Sequence, residues 1–238
     1  MRVGGASDVG RVRTINEDAF WFDDRLLIVA DGMGGHVAGE VAAAVALETV
    51  KEAIGSLHLE AGAPVEEHVR HAVSAANRRV FEKARQEGLD GMGTTLTIAV
   101  VVDRVAYLGH VGDSRAYHIQ NERLVQITED HSVVAELVKA GGISAAEAHT
   151  HPYRNLLTRA LGTTPDVEAD LYRVSLNPGE GLLLCTDGLT AVLTDEEIYR
   201  VLEQCRDPDA CARRLIELAN ARGGPDNITA VVALVEES

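Results

Sequence analysis

Two short aliphatic runs, Leu26-Leu27-Ile28-Val29-Ala30 and Leu182-Leu183-Leu184-Cys185-Thr186, each stop at an Asp-Gly pair, Asp31-Gly32 and Asp187-Gly188. A short apolar run closed by a turn signal reads as a buried strand, so this chain sets carboxylates at the ends of core strands. A third, Asp113, follows Tyr107-Leu108-Gly109-His110-Val111-Gly112, and a fourth, Asp226, precedes the last apolar run in Gly223-Gly224-Pro225-Asp226-Asn227. Any one of them reads equally well as a turn residue or the N-cap of a following helix. Taken together they impose a condition. If the strand ends converge, the carboxylates raise one another's pKa values and cost stability unless a divalent cation neutralises them. Oxygen-only donors select hard ions such as Mg²⁺ or Mn²⁺ over zinc, and the neighbouring glycines allow a backbone carbonyl or a water to come close.

The chain is punctuated evenly by Gly and Pro, with no linker, repeat or low-complexity stretch, and we expect residues 1–238 to form a single domain. Aromatic residues are 4% of the sequence against 46% hydrophobic overall, so the core has to be aliphatic. Helices are expected where Ala43, Leu47, Val50 and Ile54 share a face, and again where Val65, Val69, Val73, Ala76 and Val80 recur at steps of three and four. Strands are expected at 95–102, 105–111 and 115–120, with Asp103-Arg104 as a tight turn and Asn121-Glu122 as another. Residues 131–162, rich in Ala, Gly and His, read as an insertion with short helical pieces. Helices over 195–206 and 208–222 and a strand over 228–235 close the chain. Turn-linked strands followed by grouped helices argue for a layered α+β fold over a doubly wound parallel sheet.

Twenty-two Lys and Arg against 37 Asp and Glu give a net charge of -15, which opposes a phosphate backbone and argues against a nucleic-acid partner. Met1 to Gly10 lacks a signal-peptide pattern and no segment approaches the ~20 apolar residues of a membrane span. We therefore expect a soluble, cytoplasmic monomer with no membrane partner. Cys185, Cys205 and Cys211 cannot all pair and form no C-x-x-C, so they read as small hydrophobes in a reducing compartment. None is followed six residues later by Arg, which excludes a cysteine-based phosphatase. There is no G-x-S-x-G elbow, and Asp187-Gly188-Leu189-Thr190 lacks the second Asp of an aspartate nucleophile. Gly32-Met33-Gly34-Gly35-His36-Val37 imitates a dinucleotide fingerprint, but Val37 stands where its last Gly is needed.

Near the N-terminus, Arg13-Thr14-Ile15-Asn16-Glu17-Asp18 is by itself a solvated charged turn. Beside a metal-carboxylate site its guanidinium gains a use, since a planar fork can bind two phosphate oxygens. The ordered motifs Arg13-x-x-Asn16-Glu17-Asp18, Asp31-Gly32-Met33-Gly34-Gly35-His36, Gly93-Thr94-Thr95, Gly109-His110-Val111-Gly112-Asp113-Ser114-Arg115, Thr186-Asp187-Gly188-Leu189 and Gly224-Pro225-Asp226-Asn227-Ile228-Thr229 resemble the metal-dependent protein serine/threonine phosphatases, the PPM or type 2C family, in its bacterial branch. The resemblance runs from about Ser7 to Val235.

The resemblance implies a four-layer α-β-β-α sandwich around two antiparallel sheets, with 131–162 as a flap beside the site. It implies two Mn²⁺ or Mg²⁺ ions, Asp31 bridging them, the Gly32 carbonyl on one, and Asp187 and Asp226 completing the other. Glu17 and Asp18 would contact metal-bound waters or the second ion, and Asp113 would share a third, weaker ion with Asp187. Arg13 would clamp the phosphate. The implied reaction is hydrolysis of phosphoserine or phosphothreonine in phosphoprotein substrates by a metal-bridging water, without a phosphoenzyme. Animal members carry a histidine directly after the Asp-Gly pair, where this chain has Met33; His36 or a metal-bound water then serves as the acid, and both stay open. His149 and His151 read as flap surface, and His131 as structural. The competing reading is a catalytically silent module of the same fold that binds a partner; such a module is expected to lose metal ligands, and Asp31, Asp187 and Asp226 are all present.

Overall fold

A computed structural model describes residues 1–238 other than 35–37, 56, 58–62, 90, 121–122 and 237–238. The chain opens with β1 (Arg2–Asp8), β2 (Asp18–Phe22) and β3 (Leu26–Met33), then the helices α1 (Ala38–Gly55) and α2 (Val65–Glu87). Five strands follow: β4 (Gly93–Thr94), β5 (Leu96–Val102), β6 (Val105–Val111), β7 (Arg115–Gln120) and β8 (Arg123–Gln126). Then come α3 (Val133–Lys139), α4 (Ala145–Ala148), β9 (Asp170–Ser175), β10 (Gly181–Cys185), α5 (Asp187–Thr190), α6 (Asp195–Gln204), α7 (Pro208–Ala221) and β11 (Ile228–Leu234). The expected Asn121-Glu122 turn lies outside the described residues.

The strands form two antiparallel sheets, one in the order β1-β11-β10-β7-β8 and the other β2-β3-β5-β6-β9, with β4 attached to β3. Alternate side chains of each core strand serve different layers, as the period of two dictates. In β3, Leu26, Ile28 and Ala30 pack under α1 and α2, while Leu27 and Val29 face the other sheet. In β11, Ile228, Ala230 and Val232 pack under α5, α6 and α7, while Val231 and Ala233 meet the sheet of β3 across the middle of the molecule. Both faces of each sheet are thus covered, and the result is an α-β-β-α sandwich. That is why these antiparallel strands read as continuous apolar runs; each Leu fully buried there contributes roughly 1.5–3 kcal/mol. The helix faces expected from spacing are the buried ones, Val69, Val73, Ala76 and Val80 of α2 among them.

Asp103 and Arg104 join β5 to β6 with φ of 50° and 61°, the left-handed pair of a tight hairpin turn. Five strands escape the sequence expectation: β4 is only two residues long, and β1, β2, β8 and β9 are only partly buried and carry mixed composition. The chain passes from one sheet to the other between β1 and β2 and again between β6 and β7. These crossings carry Arg13 and Asp113.

Candidate metal centre

The site grows from a single register. β2 and β3 pair so that Asp18 stands opposite Asp31, and the Gly32 N–H donates to the Glu17 carbonyl at 3.1 Å. A Cβ on Gly32 would collide with the Gly39 carbonyl, so glycine is what lets the start of α1 lie against this strand end. From the other sheet, Thr186 and Thr229 both donate hydroxyls to Asp18 Oδ2, at 2.8 and 2.6 Å. Thr229 Oγ1 also meets Ser7 Oγ at 2.8 Å, and Asn16 Nδ2 donates to Ser7 Oγ at 2.8 Å. Asn227 staples the N-terminal loop by accepting from the Glu17 N–H at 2.8 Å and donating to the carbonyls of Val9 and Ile15. Asp187 opens α5, directly after its N-cap Thr186.

These ties bring together Asp18, Asp31 and Asp187, with Asp113, Asp226 and Glu17 close enough to be felt. Burial first, then the charges of Asp18, Asp187, Asp113 and Asp226, push Asp31 well above the usual carboxylate range. Asp187 is pushed up to about 6 by burial and by Asp226, with neighbouring Asp31 pulling the other way. Burial also carries Asp18 up to about 7, against the pull of its two threonine hydroxyls. Asp113 is raised by burial and by Asp187, and Glu17 by burial. Arg13 Nη2 donates to Asp226 Oδ2 at 2.8 Å and also feels Glu17 and Asp31, so the guanidinium stands at the rim of the group, half exposed.

Three buried oxygens here lack any hydrogen-bond partner: Asp18 Oδ1, Asp187 Oδ1 and Glu17 Oε1. A buried carboxylate oxygen left unpaired is costly, and a hard divalent cation is the ligand that all-oxygen donors suit. The donor set therefore fits such an ion. Among the described residues no three His, Cys, Asp or Glu side chains close into a cage. Instead the carboxylates line one end of the sandwich and stay partly open to solvent. That arrangement suits ions that dehydrate reluctantly and keep much of their water. His36 lies outside the described residues.

A second polar layer fixes the backbone beneath. The Asp31 N–H donates to Thr95 Oγ1 at 2.9 Å, and Thr95 Oγ1 meets Ser114 Oγ at 2.7 Å. His131 grips the turn before Asp113: its N–H donates to the Gly112 carbonyl at 2.7 Å, and its Nδ1 accepts from the Gly112 N–H at 3.0 Å. Nε2 then donates to Asp170, which Arg159 of the 131–162 segment holds at 2.6 Å. His110, its ring 4.7 Å from that of His131, is kept neutral by burial, which lowers its pKa to about 3. Arg115 forks onto both oxygens of Asp130. His149 is exposed and His151 partly so, each apart from this cluster. The threonines, Asn227, Asp130 and Asp170 were absent from the sequence candidates, although Thr95, Thr186, Asn227 and Thr229 stand inside the motifs that carried the resemblance.

A two-sheet sandwich with this carboxylate end defines a class, and the comparisons name it. The sequence model of the protein phosphatase 2C family matches residues 11–222, and the chain belongs to that family. It is 41% identical over 237 residues to the serine/threonine phosphatase stp of Listeria monocytogenes, covering 97% of this chain and 93% of that protein. It is 42% identical over 237 residues to the serine/threonine protein phosphatase PstP of Mycobacterium tuberculosis, covering 98% of this chain and 45% of that longer protein. The crystal structure of the Mycobacterium tuberculosis phosphatase superposes with a TM-score of 0.92 at 41% identity, covering 99% of each chain. A PstP catalytic domain in complex with two manganese ions superposes with a TM-score of 0.90 at 40% identity, covering 99% of this chain and 98% of that one.

Proposed function

We propose that this chain is a metal-dependent protein serine/threonine phosphatase that hydrolyses phosphoserine and phosphothreonine esters in phosphoproteins. The observation that carries the reading is the meeting of Asp18, Asp31 and Asp187, with buried, unpartnered oxygens on Asp18, Asp187 and Glu17, in a chain of this family. Divalent cations held there supply Lewis acidity: they lower the pKa of a nearby water and offset charge developing on the phosphoryl group. Asp31 and Asp187 are the main ligands in this reading, with Asp226, Asp18, Glu17 and the Gly32 carbonyl completing two sites for Mn²⁺ or Mg²⁺. Asp113 and Asp187 together form a third, weaker site.

The chain's own groups divide the remaining work. Asp18, pinned at Oδ2 by Thr186 and Thr229, keeps Oδ1 unpaired, so that oxygen would be free to hold an ion or its water. Arg13 leaves Asp226 to receive two oxygens of the incoming phosphate, whose charge it matches. The P–O bond to the substrate oxygen breaks as water adds to phosphorus, and no side chain becomes phosphorylated. A silent binding module would have no need of this ligand set.

The deciding experiment is hydrolysis of a phosphoserine peptide by the purified chain with added Mn²⁺. Activity is expected to vanish with EDTA and in Asp187→Asn with the circular dichroism spectrum unchanged; hydrolysis that persists in EDTA overturns the metal reading. Hydrogen bonds to charged groups contribute about 1.5–3 kcal/mol, so Arg13→Ala should raise KM for the peptide by roughly 10-fold or more and change kcat less. An unaltered KM takes Arg13 out of the site.

A further inference from the structure

The loop between β1 and β2 holds Arg13 against Asp226, and it is tied down along its length. The Gly10 N–H donates to Asp8 Oδ1 at 2.9 Å, and the Arg11 N–H donates to the Gly224 carbonyl at 2.7 Å. Asn227 Nδ2 donates to the carbonyls of Val9 at 3.0 Å and Ile15 at 2.9 Å, and Asn16 Nδ2 donates to Ser7 Oγ at 2.8 Å. A backbone fastened at these points presents its side chains in fixed places. Two of them are apolar and stand in water: Val12 is 67% exposed and Ile15 41%. Among the described residues, the other exposed large hydrophobics are Tyr153 and Leu156, both in the 131–162 segment. Scattered single hydrophobics on a surface are ordinary, whereas a pair held in place on either side of Arg13 is a patch at the rim of the carboxylate group.

We propose that Val12 and Ile15 are specificity-determining residues, which receive apolar side chains flanking the phosphoserine or phosphothreonine of the substrate protein. This rests on the reading of the chain as a phosphatase whose Arg13 clamps the phosphate. The loop then reads two things at once: its guanidinium takes the phosphate, and its apolar pair selects what stands beside it.

The selection follows from reach and from water. Successive residues of an extended chain are ~3.3–3.6 Å apart, so a peptide whose phosphate meets Arg13 carries its neighbouring residues along the same loop. Neither Val12 nor Ile15 has a side-chain atom that forms a hydrogen bond. A polar neighbour in the substrate that settles on them gives up its water without replacement, while an apolar neighbour takes two apolar surfaces out of water together. Because the loop is already fastened before the substrate arrives, little ordering of the enzyme opposes the contact.

The test uses the full chain with Mn²⁺ and two phosphopeptides that differ only in having leucine, or asparagine of nearly the same shape, on both sides of phosphoserine. We expect the parent to favour the leucine peptide by roughly 10-fold in kcat/KM, mainly through KM. Val12→Ser combined with Ile15→Ser should abolish the preference, and Val12→Ile combined with Ile15→Val should keep it. Calorimetric Mn²⁺ binding by the serine variant at the parent's affinity would show that the preference was lost with the centre intact. Equal hydrolysis of the two peptides by the parent, or a preference that survives in the serine variant, overturns the proposal and leaves the phosphatase reading standing. A parent that cleaves neither peptide overturns that reading and the proposal with it. Sedimentation of the parent as a dimer and of the serine variant as a monomer would give the pair to a second copy of this chain, which also overturns the proposal.

Discussion

Both hydroxyls that reach Asp18 go to the same oxygen, Oδ2, and Oδ1 is left facing the other carboxylates with nothing to accept. Partners that orient a ligand in this way typically hold 10- to 100-fold in metal affinity, at about that order of magnitude. Thr229→Val keeps the shape of the side chain and removes the donor, so calorimetric Mn²⁺ affinity should fall by about 10-fold or more while Thr229→Ser restores it. Equal affinity in parent and valine variant would mean that the hydroxyl has no orienting role. The same logic runs through His131, whose ring bonds the Gly112 backbone on one side and Asp170 on the other. Burial works against the ionised form of Asp170, yet the hydrogen bonds from Arg159 and His131 hold its pKa down to about 2. That anchor therefore persists until the solution is strongly acidic.

Among the elements, the β5–β6 hairpin is the clearest case of local strain that the sequence announces. Asp103 and Arg104 occupy left-handed backbone that side chains with a Cβ adopt at a cost. Replacing them together by Asn-Gly should stabilise the chain by about 1 kcal/mol, a Tm rise of about 2–4 °C by scanning calorimetry. No rise would mean that neighbouring contacts already support the turn. This hairpin was legible because both its strands are buried on two faces and its turn residues sit between them. β1 was not: its sequence is Arg-Val-Gly-Gly-Ala-Ser-Asp, and a Cβ on Gly4 would strike the backbone of Asp209 in α7. Gly4 records the approach of a helix about two hundred residues away and Gly5 that of the Phe20 and Phe22 rings of β2, neither of which a local window contains. β9 is likewise an edge strand held by pairing to β6. In the site, the aspartates could be read from their places after apolar runs and before Ile228, but the hydroxyls of Thr95, Thr186 and Thr229 could not. Their partners become neighbours only once the two sheets pack.

At the scale of the whole molecule, a few of the many carboxylates sit where their charge costs most. Asp18 at about 7 and Asp187 at about 6 bind protons more tightly in the folded chain than in the unfolded one. Between about pH 4 and pH 7 the folded state accordingly holds more protons, and these groups withdraw stability as the pH rises through that window. Buried neutral His110, lowered to about 3, works in the opposite direction over the same range. A measurement that isolates the carboxylates is the Tm gained on adding Mn²⁺: it should be larger at pH 8 than at pH 5.5, because protons no longer compete for the ligands. A gain that does not change with pH would place the ion away from Asp18 and Asp187.

The chain crosses between sheets at the loops that carry Arg13 and Asp113, and Asp18 of one sheet is bonded by Thr186, just past β10, and by Thr229, within β11, of the other. Neither sheet owns a complete set of oxygens. A variant whose halves are individually sound but slightly misaligned would keep its secondary structure and lose its grip on a cation, so ion affinity doubles as a gauge of how squarely the sandwich is assembled.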